Sequence, residues 1–116
     1  MASRQKEQQE DIRLRVFQLI IENPQLTSRE IAQKVRISNG SAYYLLTSLV
    51  EKGFIKLSNF KGSSQKLKYS YLLTSRGIRE KSLITAKFIE RKKIEYKLLK
   101  EEIDKLEKET GMQNDP

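Results

Sequence analysis

Ser38-Asn39-Gly40-Ser41-Ala42-Tyr43-Tyr44-Leu45-Leu46-Thr47-Ser48-Leu49-Val50-Glu51-Lys52-Gly53 is the stretch on which the fold turns. Its apolar residues Ala42, Leu45, Leu46, Leu49 and Val50 fall at i, i+3, i+4, i+7 and i+8, the spacing of one buried stripe on an α-helix. Asn39, Gly40, Tyr43, Tyr44 and Thr47 occupy the other face, able to hydrogen-bond or stack but uncharged. Ser38 is suited to cap the N-terminus and Gly53 to stop the C-terminus, so the spacing predicts a helix over 38–52. Taken alone, the segment also fits an ordinary amphipathic helix. Its neighbours decide between that and a reader of the DNA major groove.

Upstream, Leu26-Thr27-Ser28-Arg29-Glu30-Ile31-Ala32 carries Thr27 and, three residues on, Glu30, the pattern of a capping box. It opens a second helix through about Lys34 or Val35, with Ile31, Ala32 and Val35 inward. Leu26 is placed either to staple this helix or to form a one-rung strand. Before it, Ile12, Val16, Leu19 and Ile20, with Phe17 and Ile21 widening the stripe, predict a helix from about Glu10 to Glu22, ended by Asn23-Pro24. Residues 1–9 read as a polar tail. Two short helices joined by three or four residues, the second with a polar outer face, make a helix-turn-helix.

Downstream, Phe54–Ser58 and Leu67–Leu73 read as antiparallel strands, and Asn59–Lys66 as a turn-rich loop with lysines at its shoulders. A basic hairpin directly after a helix-turn-helix is a wing. Thr74-Ser75 then caps a last helix, which nothing interrupts from Arg76 to about Glu109. At about 1.5 Å per residue it makes a rod of roughly 50 Å. Along it Ile89, Lys92, Tyr96, Leu99, Ile103 and Leu106 are spaced 3, 4, 3, 4 and 3, a short coiled-coil seam. Such a seam wants a partner, most simply a second copy, and the direction of pairing stays open; the alternative is a helix folded back on its own domain. Gly111–Pro116 is a polar tail. The fold class is therefore mainly α with a small β-hairpin (α+β): a winged helix-turn-helix domain over 10–75 and a dimerisation helix over 76–110.

Charge places the partner. The 116 residues carry a formal +8. Residues 1–79 hold 14 Lys/Arg against 6 Asp/Glu, which accounts for all of it, and residues 80–116 hold 9 of each. From Lys52 to Arg79 there are seven basic residues and no acidic one. A one-sided field of this kind suits a polyanion, nucleic acid before a membrane surface. With no Cys and no His in the chain, thiol and imidazole nucleophile systems are excluded and the usual transition-metal ligands are missing. No enzyme activity, cofactor or metal is expected. No apolar run approaches a membrane span and no signal segment is evident, so the expected setting is the cytoplasm, on the nucleoid.

The residues LTSREIAQKVRISNGSAYYLLTSLVEKGFIK, 26–56, together with YLLTSRGIREK at 71–81, resemble the winged-helix domain of MarR-type transcriptional regulators. The C-terminal helix also resembles that of a small MarR-like group associated with exopolysaccharide gene clusters. The resemblance implies a homodimeric regulator of transcription on double-stranded DNA. It does not carry the effector pocket common in that family, because this chain has little before its first helix and a single helix after its wing. No small-molecule effector is assigned.

The residues then take these expected roles. The helix 38–52 enters the major groove, with Ser38, Asn39 and Ser41 reaching base edges or the first phosphate. Tyr43 and Tyr44 touch thymine methyls or phosphates, unless one of them, Tyr43 first, tucks against the second helix. Thr47 serves a distal contact. Arg29, Arg36 and the wing lysines Lys61, Lys66 and Lys68 take backbone or minor-groove phosphates. Ile89, Tyr96, Leu99, Ile103 and Leu106 dimerise the chain on a pseudo-palindromic operator. The rival reading is a protein-interaction module docking through its coiled coil, which has no need of the acid-free run from Lys52 to Arg79.

Overall fold

The computed structural model describes residues 2–61 and 67–111, with side chains described over 4–59 and 69–111. The element order is α1 (Ala2–Glu22), α2 (Ser28–Val35), α3 (Asn39–Glu51), β1 (Ile55–Lys61), β2 (Leu67–Leu73) and α4 (Ser75–Thr110). The chain divides into two units, 1–84 and 85–116. The first is a winged helix-turn-helix in which α1 packs on α2 and β2, α2 on α3, and α3 on β1.

Helix α1 begins at Ala2, so residues read as a polar tail are helical. The polar residues 4–9 show no apolar period, but all favour helix and neither Gly nor Pro interrupts them before Pro24. Its core face is Leu14, Val16, Phe17, Leu19 and Ile20, whereas Ile21, expected in the stripe, is 54% exposed. Helix α2 carries the full capping box. The Thr27 hydroxyl accepts from the Glu30 N–H at 3.1 Å, and the Glu30 carboxylate accepts from the Thr27 N–H at 3.1 Å. These bonds, the backbone one first, hold the exposed Glu30 carboxyl below its ordinary pKa of 4.5. Leu26 is buried. It forms no strand rung: it is the neighbouring Pro24 carbonyl that accepts the Tyr71 N–H, at 2.9 Å.

The hairpin is longer than its sequence pattern. Strands β1 and β2 pair antiparallel from Ile55↔Leu73 to Lys61↔Leu67, which draws Asn59, Phe60 and Lys61 out of the expected loop into the ladder. Each residue added in register satisfies backbone groups on both strands, outweighing the modest turn preference of Asn59. Lys66 lies outside the described residues.

The first unit closes around Phe54. Its N–H donates to the Leu49 carbonyl at 3.0 Å, and its carbonyl accepts the Thr74 N–H at 3.0 Å. The Thr74 hydroxyl points at the carbonyls of Gly53 (2.5 Å) and Phe54 (3.1 Å) and accepts the Gly77 N–H at 3.0 Å. The Phe54 ring meets Phe17 edge-on with centroids 6.4 Å apart, and the guanidinium groups of Arg13 and Arg76 stand 5.9 and 5.4 Å from its centre. Arg13 also pairs with Glu80 at 3.2 Å. Gly53 ends the preceding turn at φ +78°, a backbone state that side chains disfavour.

A Cβ on Gly77 would stand 2.0 Å from the Phe54 carbonyl oxygen, a backbone atom that cannot swing away. Gly77→Ala is therefore expected to lower stability by more than about 2 kcal/mol, at the severe end of overpacking. Thr74→Ala is expected to lose about 1 kcal/mol, the worth of a helix cap. Urea unfolding of both variants checks the order.

Candidate nucleic-acid interface

The turn between α2 and α3 is set by three residues. Arg36 ends α2 in the left-handed region at φ 64°, and its N–H returns to the Ala32 carbonyl. Ile37 follows, its N–H also bonded to Ala32. Ser38 then caps α3 by accepting the Ser41 N–H at 3.0 Å, while its hydroxyl donates to the Ser41 hydroxyl at 2.8 Å. The Ser38 side chain is thus committed to the cap. Ser41 keeps its own hydroxyl proton for another acceptor.

Ala42, Leu46 and Leu49 bury one side of α3, with Leu45 half-buried beside them. Val50, expected inward, is 40% exposed at the edge of the stripe. At 100° per residue, the direction opposite the core is occupied by Gly40, Tyr44 and Thr47, with Glu51 one turn beyond. Asn39, Gly40, Ser41 and Thr47 are exposed. Tyr43 and Tyr44 are 69% and 78% exposed, so neither tucks against α2 as core.

The two tyrosines nevertheless differ. Tyr44 sits in the middle of the outer face. Tyr43 lies on the flank toward the wing, close enough to Tyr71 to add to the rise in its pKa, whose larger cause is burial of the Tyr71 hydroxyl. Tyr71 therefore keeps its proton well above neutrality. This neighbour of Tyr43 was not evident in the sequence, where the alternation of β2 makes Tyr71 a core-covering residue. Tyr69, two positions away on the same face of the strand, is half exposed.

Charge frames this surface and does not enter its centre. Between Asn39 and Glu51 the only charged side chain is Glu51 at the far end. Arg29, Lys34, Arg36, Lys52 and Lys56 are all exposed around it. Lys34, Lys52 and Lys56 join the expected arginines as candidates. Lys61 pairs with Leu67 and Lys68 with Phe60, so two of the wing lysines belong to the ladder. Among the described residues no cluster of three or more His, Cys, Asp or Glu could hold a metal ion, and no helix is long and apolar enough to cross a membrane.

A helix-turn-helix with a two-stranded wing defines a class of domain. Residues 9–56 match the family described as winged helix-turn-helix DNA-binding. Its fold is shared with MarR-type regulators of Staphylococcus aureus. A MepR mutant is 22% identical with a TM-score of 0.62, covering 91% of this chain and 80% of its own. The MepR–DNA complex is 18% identical with a TM-score of 0.60, covering 95% and 91%. A PadR-like transcriptional regulator from Bacillus cereus is 17% identical with a TM-score of 0.66, covering 75% and 89%. No curated protein matches the chain.

Nothing lies within 4 Å of a Cβ built on Gly40, and its backbone is ordinary helix. The fold therefore gives no reason for glycine at this outward position. Gly40→Ala is expected to leave the melting temperature unchanged or raise it, by up to about 1 kcal/mol of helix preference; calorimetry checks the sign.

Proposed function

We propose that this chain is a homodimeric regulator of transcription that binds double-stranded DNA in sequence-specific fashion, with α3 in the major groove and the wing on backbone or minor groove. The observation that carries the reading is the outer face of α3: uncharged, aromatic, exposed, and ringed by basic residues on a winged helix-turn-helix. It is a non-catalytic reading and needs no cofactor. It places the protein where the chromosome is, in the cytoplasm.

In this reading Tyr44 and Thr47 take base edges and thymine methyls, and Tyr43 takes the backbone on the wing side. Asn39 and Ser41 meet the first base or phosphate from the helix start, where exposed N–H groups favour anions. Ser38 acts by fixing that start. Gly40 lets the helix backbone approach the duplex, since a Cβ there would point outward into the groove. Arg29, Arg36, Lys61, Lys66 and Lys68 supply phosphate contacts, which set affinity and not sequence. Pairing of two chains through Ile89, Tyr96, Leu99, Ile103 and Leu106 presents two such helices to half-sites about 34 Å apart or a multiple of it.

Duplex affinity is expected to fall at least a hundredfold between about 50 and about 200 mM salt, as counterion release at several phosphates demands. A flat profile in fluorescence anisotropy would refute backbone binding. Tyr43→Ala with Tyr44→Ala is expected to fold normally, keep the salt slope, and lose roughly tenfold or more of its preference for selected over random duplex. Gly40→Ala, stable as a protein, is expected to weaken binding to the selected duplex severalfold; unchanged affinity would move the contact away from the helix start.

A further inference from the structure

The second unit is one helical stretch with an unpartnered apolar face. Ile89, Tyr96, Leu99, Ile103 and Leu106 are 45–68% exposed. Resting on the homodimer proposed above, we infer that the occupant of this face is a second copy of α4 running parallel to the first, in a two-stranded coiled coil over about 89–106.

Two independent features of the sequence on this helix set the direction. The spacing of three from Ile89 to Lys92, Tyr96 to Leu99 and Ile103 to Leu106 makes the first of each pair an a position and the second a d position. Isoleucine at a with leucine at d is the combination that favours parallel two-stranded coils, because β-branched side chains pack well in the parallel a layer and leucine in the d layer. Here Ile89 and Ile103 stand at a, and Leu99 and Leu106 at d.

The flanks give the second reason. The g positions that follow are Glu95, Glu102 and Glu109, and the e positions are Lys93, Lys100 and Glu107. A parallel coil sets g of one helix against the next e of the other, so Glu95 meets Lys100 of the second copy, twice by symmetry. An antiparallel coil sets g against g and e against e. With the seam fully overlapped it places Glu95 against Glu102 and Lys93 against Lys100, four like-charged contacts and no g–e attraction. The parallel coil has one like pair, Glu102 with Glu107, also repeated by symmetry, nearer the C-terminal end.

Lys92, the charged residue at a d position, is drawn off the seam within its own helix. Its ammonium pairs with Glu95 at 3.1 Å and stands 5.2 Å from the centre of the Phe88 ring. Both partners occupy g positions, so the charge lies at the flank and its aliphatic stem along the seam. Parallel pairing brings the two Thr85 residues within about 10 Å, the spacing of packed helices. Antiparallel pairing over the same stretch would hold them roughly 30 Å or more apart.

The chain has no cysteine, so single cysteines report without background. In the full chain, Leu106→Cys is expected to oxidise to a covalent dimer, since a d position faces its own copy only in a parallel coil. If Leu106→Cys stays uncrosslinked while a mixture of Ile89→Cys and Leu106→Cys chains forms the mixed dimer, pairing is antiparallel and the inference fails. Glu95→Lys gives a second readout. It is expected to raise the dimer dissociation constant roughly tenfold, with Lys100→Glu in the same chain restoring it, whereas in the overlapped antiparallel coil it would tighten the dimer.

A chain that sediments as a monomer at about 100 μM, well above ordinary dimer affinities, overturns both this inference and the dimeric part of the proposed function. A Leu106→Cys dimer that forms but ignores duplex DNA supports the pairing and overturns the DNA-binding reading alone.

Discussion

The winged domain depends on the approach of Gly77 to the Phe54 carbonyl. At that point the end of α3, the start of β1, the end of β2 and the first turn of α4 are joined through one peptide unit. Phe54 gives its N–H to the Leu49 carbonyl of α3 and its carbonyl accepts the Thr74 N–H, and Thr74 caps α4 by accepting the Gly77 N–H. Its ring, wedged edge-on to Phe17 and flanked by Arg13 and Arg76, ties the same point to α1. The wing is thereby held at a fixed place relative to α3, which in the proposed complex would let the two fit neighbouring grooves of a rigid duplex at once. A loose wing would lose the entropy of ordering each time it bound.

The surface so positioned separates two tasks. Cations sit on α2, on the turn, after α3 and on the wing, where in the proposed function they would act on a polyanion over about a Debye length regardless of sequence. The exposed centre of α3 has none. Tyrosine and threonine there would, in the proposed complex, make short-range contacts whose energy depends on the particular base edge and methyl facing them. A charged residue at position 44 would add attraction to every site equally and lower the ratio between right and wrong sites. Neutrality of the centre of α3 and basicity of its surroundings would therefore serve one purpose in the proposed function, discrimination on top of general affinity.

Much of this was legible because it is written in short-range chemistry. The Thr27/Glu30 box, the Ser38 cap, Gly53 and the Leu73-Thr74-x-x-Gly77 exit each depend on residues within a few positions of one another, and each stands where the pattern put it. The helix 38–52 and the strand 67–73 followed from period alone. What the chain did not disclose needed contacts between distant segments. Period alone starts the first helix at about Glu10, because its polar beginning has no apolar repeat, though helix preference and the lack of a breaker carry it to Ala2. The ladder ran on past Ser58 because β2 was there to accept it. Phe54 gave no sign of its place at the junction, since its partners come from α1, α3 and α4. The placement of Tyr43 beside Tyr71 required the hairpin to be folded back against α3.

The apolar seam of α4 carries the same argument to the level of assembly. About two and a half heptads, with Tyr96 in one layer and Lys92 displaced from another, would form a coil of modest stability. In the proposed dimer, two winged domains on adjacent half-sites would raise the local concentration of the paired helices, and the coil in turn would strengthen the pair of contacts. The charge pattern that would favour the parallel direction also keeps the second unit near neutral, with its lysines and glutamates in balance. The positive field thus stays concentrated on the winged domain, and in the proposed function the pairing helix would add no general attraction for the polyanion to blur the discrimination by α3.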